Sequence, residues 1–108
     1  MGRTVERRQD KRLPGEGMEV QMPTCSHVKI VDISASGGLV MVDRNLSVGN
    51  TYPLVIKHRG KTLKAQAIVM RSRFLKAGRI AGNTTTPIYL AGMQFGGVTK
   101  EETLDFIK

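Results

Sequence analysis

The feature of this sequence that most constrains its fold is a polar segment between two runs of β-forming residues. The first run, residues 27–31, reads His-Val-Lys-Ile-Val, and the second, residues 39–42, reads Leu-Val-Met-Val. Such β-branched and apolar runs are typical of strands. Asp32 and Ser34 lie between them two residues apart, so both side chains would leave the same face of a strand. The segment therefore predicts a hairpin with a small polar patch at one strand end.

Gly37 and Gly38 follow this patch, and they predict a turn in which the backbone takes positive φ. Glycine also allows another molecule to approach the backbone closely. Two interpretations of the patch remain open at this point. Asp32 and Ser34 either cap their own turn, or they bind a ligand beside the bare backbone of the two glycines.

Further short strands are predicted along the chain, at residues 18–22, 52–57, 62–71 and 88–95. One face of the strand at 62–71 is expected to carry Leu63, Ala65, Ala67 and Val69. Residues 73–86 predict a long loop, with a short strand around residues 79–81. Many short antiparallel strands joined by glycine-containing turns predict a small barrel or sandwich, and a closed barrel has no exposed sheet edge.

The C-terminus carries a helix signal. Thr99 and Glu102 match the capping-box pattern, which predicts a helix that continues to about Lys108. Leu104 and Ile107 are expected on its buried face. With 108 residues, the whole chain is predicted to form one domain with one core.

Composition argues against several classes of protein. No apolar run is long enough to span a bilayer, so no membrane insertion is expected. The single cysteine, Cys25, has no internal disulfide partner, which predicts a reducing, cytoplasmic location. Cys25 and His27 would supply only two metal ligands, and no convincing base accompanies Asp32 and Ser34. The sequence therefore predicts no enzyme, no catalytic residues, no metal site and no cofactor.

Positive charge is concentrated in the second half of the chain. The net charge is +8, and residues 44–100 contain ten Lys and Arg and no acidic residue. This distribution favours an anionic partner such as nucleic acid, or it is a solvated basic face without a specific partner. Because the chain has two Tyr, three Phe and no Trp, aromatic side chains that could stack on bases are scarce. Nucleic acid is therefore not expected, but a small basic β-barrel that binds it is the alternative hypothesis.

Residues 1–16 form a charged segment that we call the arm. It holds five basic and three acidic residues, no periodic apolar pattern, and Pro14-Gly15 near its end, so a flexible segment is predicted. Within the arm, Arg8 and Arg12 are spaced Arg-x-x-x-Arg. This pattern, followed by Asp32-x-Ser34-x-x-Gly37, resembles the two-part signature of the PilZ domain family.

The PilZ resemblance covers essentially the whole chain and implies a fold and a function. It implies a six-stranded antiparallel β-barrel with a short C-terminal helix over residues 17–108, preceded by the arm. Family members of this kind are typically cytoplasmic bacterial receptors for cyclic di-GMP. The resemblance assigns ligand binding to two groups of residues, Arg8 and Arg12 in the arm, and Asp32, Ser34 and Gly37 in the barrel.

Four more residues are candidates for the same site. Arg7 precedes the arm motif and is either a further phosphate or base contact or a solvated arginine. Gly38 would keep the turn clear of side chains, and Arg71 and Gly92 are candidates for the edge of the pocket. Arginine suits this ligand because its planar fork matches both phosphate and the O6/N7 edge of guanine. An aspartate suits it because a carboxylate accepts from the guanine N1–H and amino group.

With no second domain, the output of such a receptor must pass to another protein. The expected partner is an unidentified effector protein, in motility, exopolysaccharide and biofilm formation, or virulence. Two stacked ligand molecules are slightly favoured over one, because adjacent Arg7 and Arg8 add cationic capacity. A PilZ-like adaptor that binds only protein is a third hypothesis, against which the intact motifs argue.

Overall fold

The computed structural model describes residues 11–79 and 85–108. Within these ranges the chain forms seven strands and one helix. Their bounds are β1 (Leu13–Pro14), β2 (Glu19–Gln21), β3 (Val28–Ile33), β4 (Gly37–Val42), β5 (Thr51–His58), β6 (Lys61–Gly78), β7 (Thr86–Gly96) and α1 (Lys100–Ile107). The expectation of a mainly β chain with a short C-terminal helix is confirmed.

The strands form one antiparallel sheet in the order β1-β3-β4-β7-β6-β5-β2. The sheet curls into a half-barrel, so that β2 at one edge also approaches β3 near the other edge. The predicted count of six strands is wrong, because β1 arises within the segment assigned to the arm. Leu13 packs against the core and the Gly15 amide donates to the Val31 carbonyl at 3.0 Å, so tertiary contacts create this short strand.

Alternation along β6 builds one wall of the core. Leu63, Ala65, Ala67 and Val69 are buried, while the residues between them lie on the outer face and are exposed or partly exposed. This confirms the predicted face, because side chains on a strand alternate between its two sides. The opposite walls come from β3, β4, β5 and β7, whose buried residues include Ile33, Val42, Ile56 and Ala91.

Among the described residues of the predicted loop at 73–86, most belong instead to two paired strands. Strand β6 continues to Gly78 and β7 begins at Thr86. The short strand expected around residues 79–81 is not formed at Arg79, and residues 80 and 81 lie outside the described ranges. The charged composition suggested a loop, but a ribbon of two paired strands needs only backbone hydrogen bonds and can carry polar side chains on both faces.

Helix α1 closes one end of the half-barrel. The Thr99 amide donates to Glu102 Oε1 at 2.7 Å and the Glu102 amide donates to Thr99 Oγ1 at 3.0 Å, which confirms the capping box. The buried face consists of Thr103, Phe106 and Ile107. Leu104 is exposed, contrary to the prediction, because burying Phe106 rotates the helix so that Leu104 faces away from the core.

Candidate ligand-binding site

A β-bulge in β3 determines where Asp32 points. Ile30 pairs with Val40 and Asp32 pairs with Leu39, so Val31 is an extra residue in the strand. With regular alternation, Asp32 would point into the core as Ile30 does, because the two are two positions apart. The bulge shifts the alternation and places Asp32 on the outer face of the sheet.

Strand β6, which is separated from β3 by β4 and β7, contains a similar bulge. Val69 pairs with Met93 and Arg71 pairs with Gly92, so Met70 is the extra residue. Val69 is fully buried, and regular alternation would also bury Arg71. The second bulge therefore places the Arg71 side chain on the outer face of the sheet, as the first bulge does for Asp32.

Asp32 and Arg71 end up in one row across four strands. Asp32 pairs with Leu39, Leu39 pairs with Gly92, and Gly92 pairs with Arg71. Three strand spacings separate the two ends, about 14 Å. The row therefore holds a carboxylate at one end, a guanidinium at the other, and a glycine between them.

The Arg71 guanidinium lies over Gly92, which has no side chain there. A Cβ atom added at Gly92 would lie 3.6 Å from Nε and 3.8 Å from Nη2 of Arg71. The planar cation thus lies against bare backbone on the outer face. A guanidinium held in this way can offer its flat face for stacking and its edge for hydrogen bonds.

Arg12 lies at the Asp32 end of the row. Pairing of Leu13 with Ile33 and of Pro14 with Asp32 brings the residue before β1 to this place. Nη1 of Arg12 donates to Oδ1 of Asp32 at 2.5 Å, and the two side chains are 39% and 24% exposed. The structure therefore brings together two residues that the sequence motifs place twenty positions apart, and the Arg12 side chain is held beside β3 because β1 directly follows it.

Ser34 has a different environment from the predicted one. Strand β3 ends at Ile33, so Ser34 does not share a strand face with Asp32. Its amide donates to the Gly37 carbonyl at 2.8 Å, and its buried hydroxyl lies 3.4 Å from the same oxygen. Ser34 therefore caps the turn at residues 34–36, as the first of the two open interpretations proposed.

Gly37 and Gly38 belong to β4 and not to a turn with positive φ. A Cβ at Gly37 would overlap the carbonyl oxygen of Met93 on β7. A Cβ at Gly38 would lie 3.1 Å from the carbonyl oxygen of Asp32. These glycines are required because neighbouring strands approach closely, which corrects the prediction based on their φ angles.

The predicted site residues within the described ranges all line one open cavity of about 350 Å³. These residues are Arg12, Asp32, Ser34, Gly37, Gly38, Arg71 and Gly92. Arg7 and Arg8 lie outside the described residues. The cavity joins a second groove of about 610 Å³, with which it shares Leu39, Met70, Arg71 and Gly92.

Five cavity residues were not predicted from the sequence, namely Ser36, Leu39, Met70, Met93 and Gln94. Met70 reaches the outer face through the bulge in β6, which no local motif reveals. The alternation of the strand at residues 39–42 was the available signal for Leu39, because Val40 and Val42 alternate with it.

Cys25 borders another surface cavity, of about 620 Å³, together with His27. Burial, and then the negative charge of Asp43, raises the pKa of Cys25 to about 11. A thiol with this pKa is neutral at neutral pH and is a weak nucleophile. Within residues 11–79 and 85–108, no group of three or more His, Cys, Asp or Glu is arranged to hold a metal ion.

Among the described residues, no helix is long and apolar enough to cross a membrane. Comparison of the chain with models of known protein families, with curated proteins and with solved structures gives no match.

Proposed function

We propose that this chain is a bacterial receptor of the PilZ type that binds cyclic di-GMP in the cavity beside β3, β4 and β7. The observation that supports the proposal is the convergence of Arg12, Asp32 and Arg71 on one cavity. Two cations and one carboxylate in this arrangement match a ligand that carries two phosphates and two guanines. The function is binding and relay, without a catalytic step.

Phosphate recognition falls to the arginines. Arg12 and Arg71 each carry a planar guanidinium that can form paired hydrogen bonds with a phosphate. Arg71 has a second role, because its guanidinium plane beside Gly92 can stack on a purine face. Arg71 and Asp32, the partner of Arg12, are about 14 Å apart along the row, so the two arginines can contact different parts of one ligand or of two stacked molecules.

Guanine recognition falls to Asp32. Its carboxylate accepts from Arg12 through Oδ1, and a carboxylate offers about four acceptor positions, so further donors can share it. Guanine presents N1–H and an amino group as such donors, whereas adenine lacks this pair. Arg12 can at the same time reach the O6/N7 edge of the base. The Arg12–Asp32 pair therefore favours guanine over adenine.

The relay step involves the arm. Arg7 and Arg8 belong to the part of the arm before residue 11, and in this proposal they close over the bound phosphates. The changed position of the arm exposes or covers a surface for a cytoplasmic effector protein, in motility, exopolysaccharide and biofilm formation, or virulence.

Calorimetric titration tests the proposal. Cyclic di-GMP is expected to bind at micromolar or tighter affinity, with GTP and cyclic di-AMP much weaker. Single-stranded DNA serves as the comparison ligand at two salt concentrations, because non-specific nucleic-acid binding falls steeply with salt. Absence of both heat and thermal stabilisation with cyclic di-GMP would reject the proposal.

A further inference from the structure

Beyond the pair formed by Phe74 and Tyr89, which lies at its base, the β6–β7 hairpin projects from the sheet as a two-stranded ribbon. Strand β4 pairs with β7 only from Tyr89 to Gln94, and β5 pairs with β6 only up to Ile68. Residues 73–78 of β6 therefore have β7 as their only strand neighbour within the described chain. The ribbon can contact a partner surface while the half-barrel remains clear of it.

Two adjacent apolar residues are exposed on this ribbon. Phe74 is 55% exposed and Leu75 is 37% exposed. A bulge between Phe74 and Lys76 leaves Leu75 without a strand partner. The ring of Phe74 packs edge-on against the ring of Tyr89, with 5.6 Å between the ring centroids. This contact holds Phe74 in position on β6.

Cations flank the apolar pair on both sides. Arg73 and Lys76 are exposed, and neither forms a hydrogen bond or ion pair with the rest of the described chain. The sequence has no acidic residue between positions 44 and 100 that could neutralise them. Residues 73–76 thus consist of two apolar side chains with one cationic side chain on each side of them.

We infer that this segment, residues 73–76, docks the protein onto an anionic lipid surface. Phe74 and Leu75 would enter the boundary between headgroups and acyl chains, while Arg73 and Lys76 contact lipid phosphates. Aliphatic exposure favours lipid over nucleic acid, because Leu75 gains from burial in hydrocarbon but offers no ring for a base to stack on. Because the outer edge of the ribbon has no strand partner, insertion stays shallow, where water can satisfy the backbone.

A single-tryptophan variant tests the site directly. The chain has no Trp, so Phe74→Trp introduces one reporter at the apolar pair. Vesicles of phosphatidylcholine containing phosphatidylglycerol are expected to shift its emission to the blue, and vesicles of phosphatidylcholine alone are not. Brominated lipids should quench it most when the bromine lies near the headgroup. Leu104→Trp, on the exposed side of α1, is the control and should show no shift.

Charge variants distinguish binding through the ribbon from non-specific attraction of a basic protein to anionic vesicles. Arg73→Gln with Lys76→Gln should weaken binding to the anionic vesicles about thirty-fold, the loss expected for two cations at such a surface. Lys57→Gln with Lys64→Gln removes the same charge from the exposed face of β5 and β6 and should have a much smaller effect. Leu75→Ser should also weaken binding, and it leaves the contact between Phe74 and Tyr89 in place.

Three results would overturn the inference. The first is absence of a blue shift for Phe74→Trp in a folded protein. The second is equal weakening by the two pairs of charge variants. The third is tighter binding to single-stranded DNA than to anionic vesicles, lost in Arg73→Gln with Lys76→Gln but kept in Leu75→Ser. None of these measurements uses cyclic di-GMP, so they test membrane docking independently of cyclic di-GMP binding.

Discussion

Arg12 and Asp32 form an ion pair between the residue before β1 and the outer face of β3, with 2.5 Å between Nη1 and Oδ1. Pairing of β1 with β3 holds the arginine in place, and the bulge at Val31 turns the aspartate toward it. Both partners are partly exposed, which makes the pair accessible to a ligand and limits its contribution to folding.

Arg12→Ala is expected to weaken cyclic di-GMP binding strongly while changing the stability of the fold only slightly. Loss of an exposed pair should change the free energy of unfolding by less than about 1 kcal/mol. Cyclic di-GMP binding should weaken by about 2–4 kcal/mol, because hydrogen bonds between charged groups are lost. Urea denaturation and calorimetry measure the two effects, with Lys11→Ala as the control for loss of charge alone. Normal binding by Arg12→Ala would contradict its place in the site.

Gly37→Ala is expected to destabilise the fold. The new Cβ would overlap the Met93 carbonyl oxygen on the neighbouring strand, so β4 and β7 must separate locally. Overpacking of this kind typically costs about 1–3 kcal/mol. Gly92→Ala is the matched control, because its Cβ would make only an ordinary contact with Arg71 at 3.6 Å. Equal unfolding midpoints for the two variants would show that β4 and β7 do not need the close approach.

Cys25 gives the protein a pH-dependent contribution to stability. Its pKa rises from 9.0 to about 11 on folding, chiefly because of burial. Between these values the folded chain keeps a proton that the unfolded chain releases, so this contribution is intact below pH 9 and declines as the pH rises toward 11. Cys25→Ser removes it, and the stability difference between the two proteins should change across that window. A difference that is constant across the window would contradict the raised pKa.

Limited proteolysis tests the proposed movement of the arm. Trypsin cleaves after Arg7 and Arg8, and saturating cyclic di-GMP is expected to slow cleavage there, because bound phosphates would hold both side chains. Cleavage after Arg73, on the ribbon, serves as the internal control and should keep its rate. If ligand binds and the arm is cut equally fast with and without it, the relay must use another part of the protein.

The sequence was informative where structure depends on local pattern. The alternation from Leu63 to Val69 and the capping box at Thr99 both depend on residues a few positions apart, and both predictions are confirmed. The candidate site residues within the described ranges were also found in one cavity. The spacing of the motifs carried that information for Arg12, Asp32, Ser34 and Gly37.

The sequence was less informative where structure depends on pairing between distant segments. Strand β1 has only two residues and exists because Leu13 and Pro14 pair with β3, which no propensity reveals. Gly37 was assigned to a turn because glycine is common there, but the carbonyl of Met93, far along the chain, is what requires it. The bulges at Val31 and Met70 appear only once the strand register is known.

The two bulges also determine which changes in chain length the site can tolerate. Removing Val31 would make Ile30 and Asp32 adjacent, and regular alternation would then keep Asp32 on the outer face; removing Met70 would do the same for Arg71. Keeping Val31 but losing the bulge, so that Val31 pairs with Leu39, would instead turn Asp32 toward the core and delete half of the site. The loop between β4 and β5 carries no such constraint from the row. Homologues that keep the site should therefore have either both the extra residue and its bulge in each of these two strands or neither, while their loops vary in length.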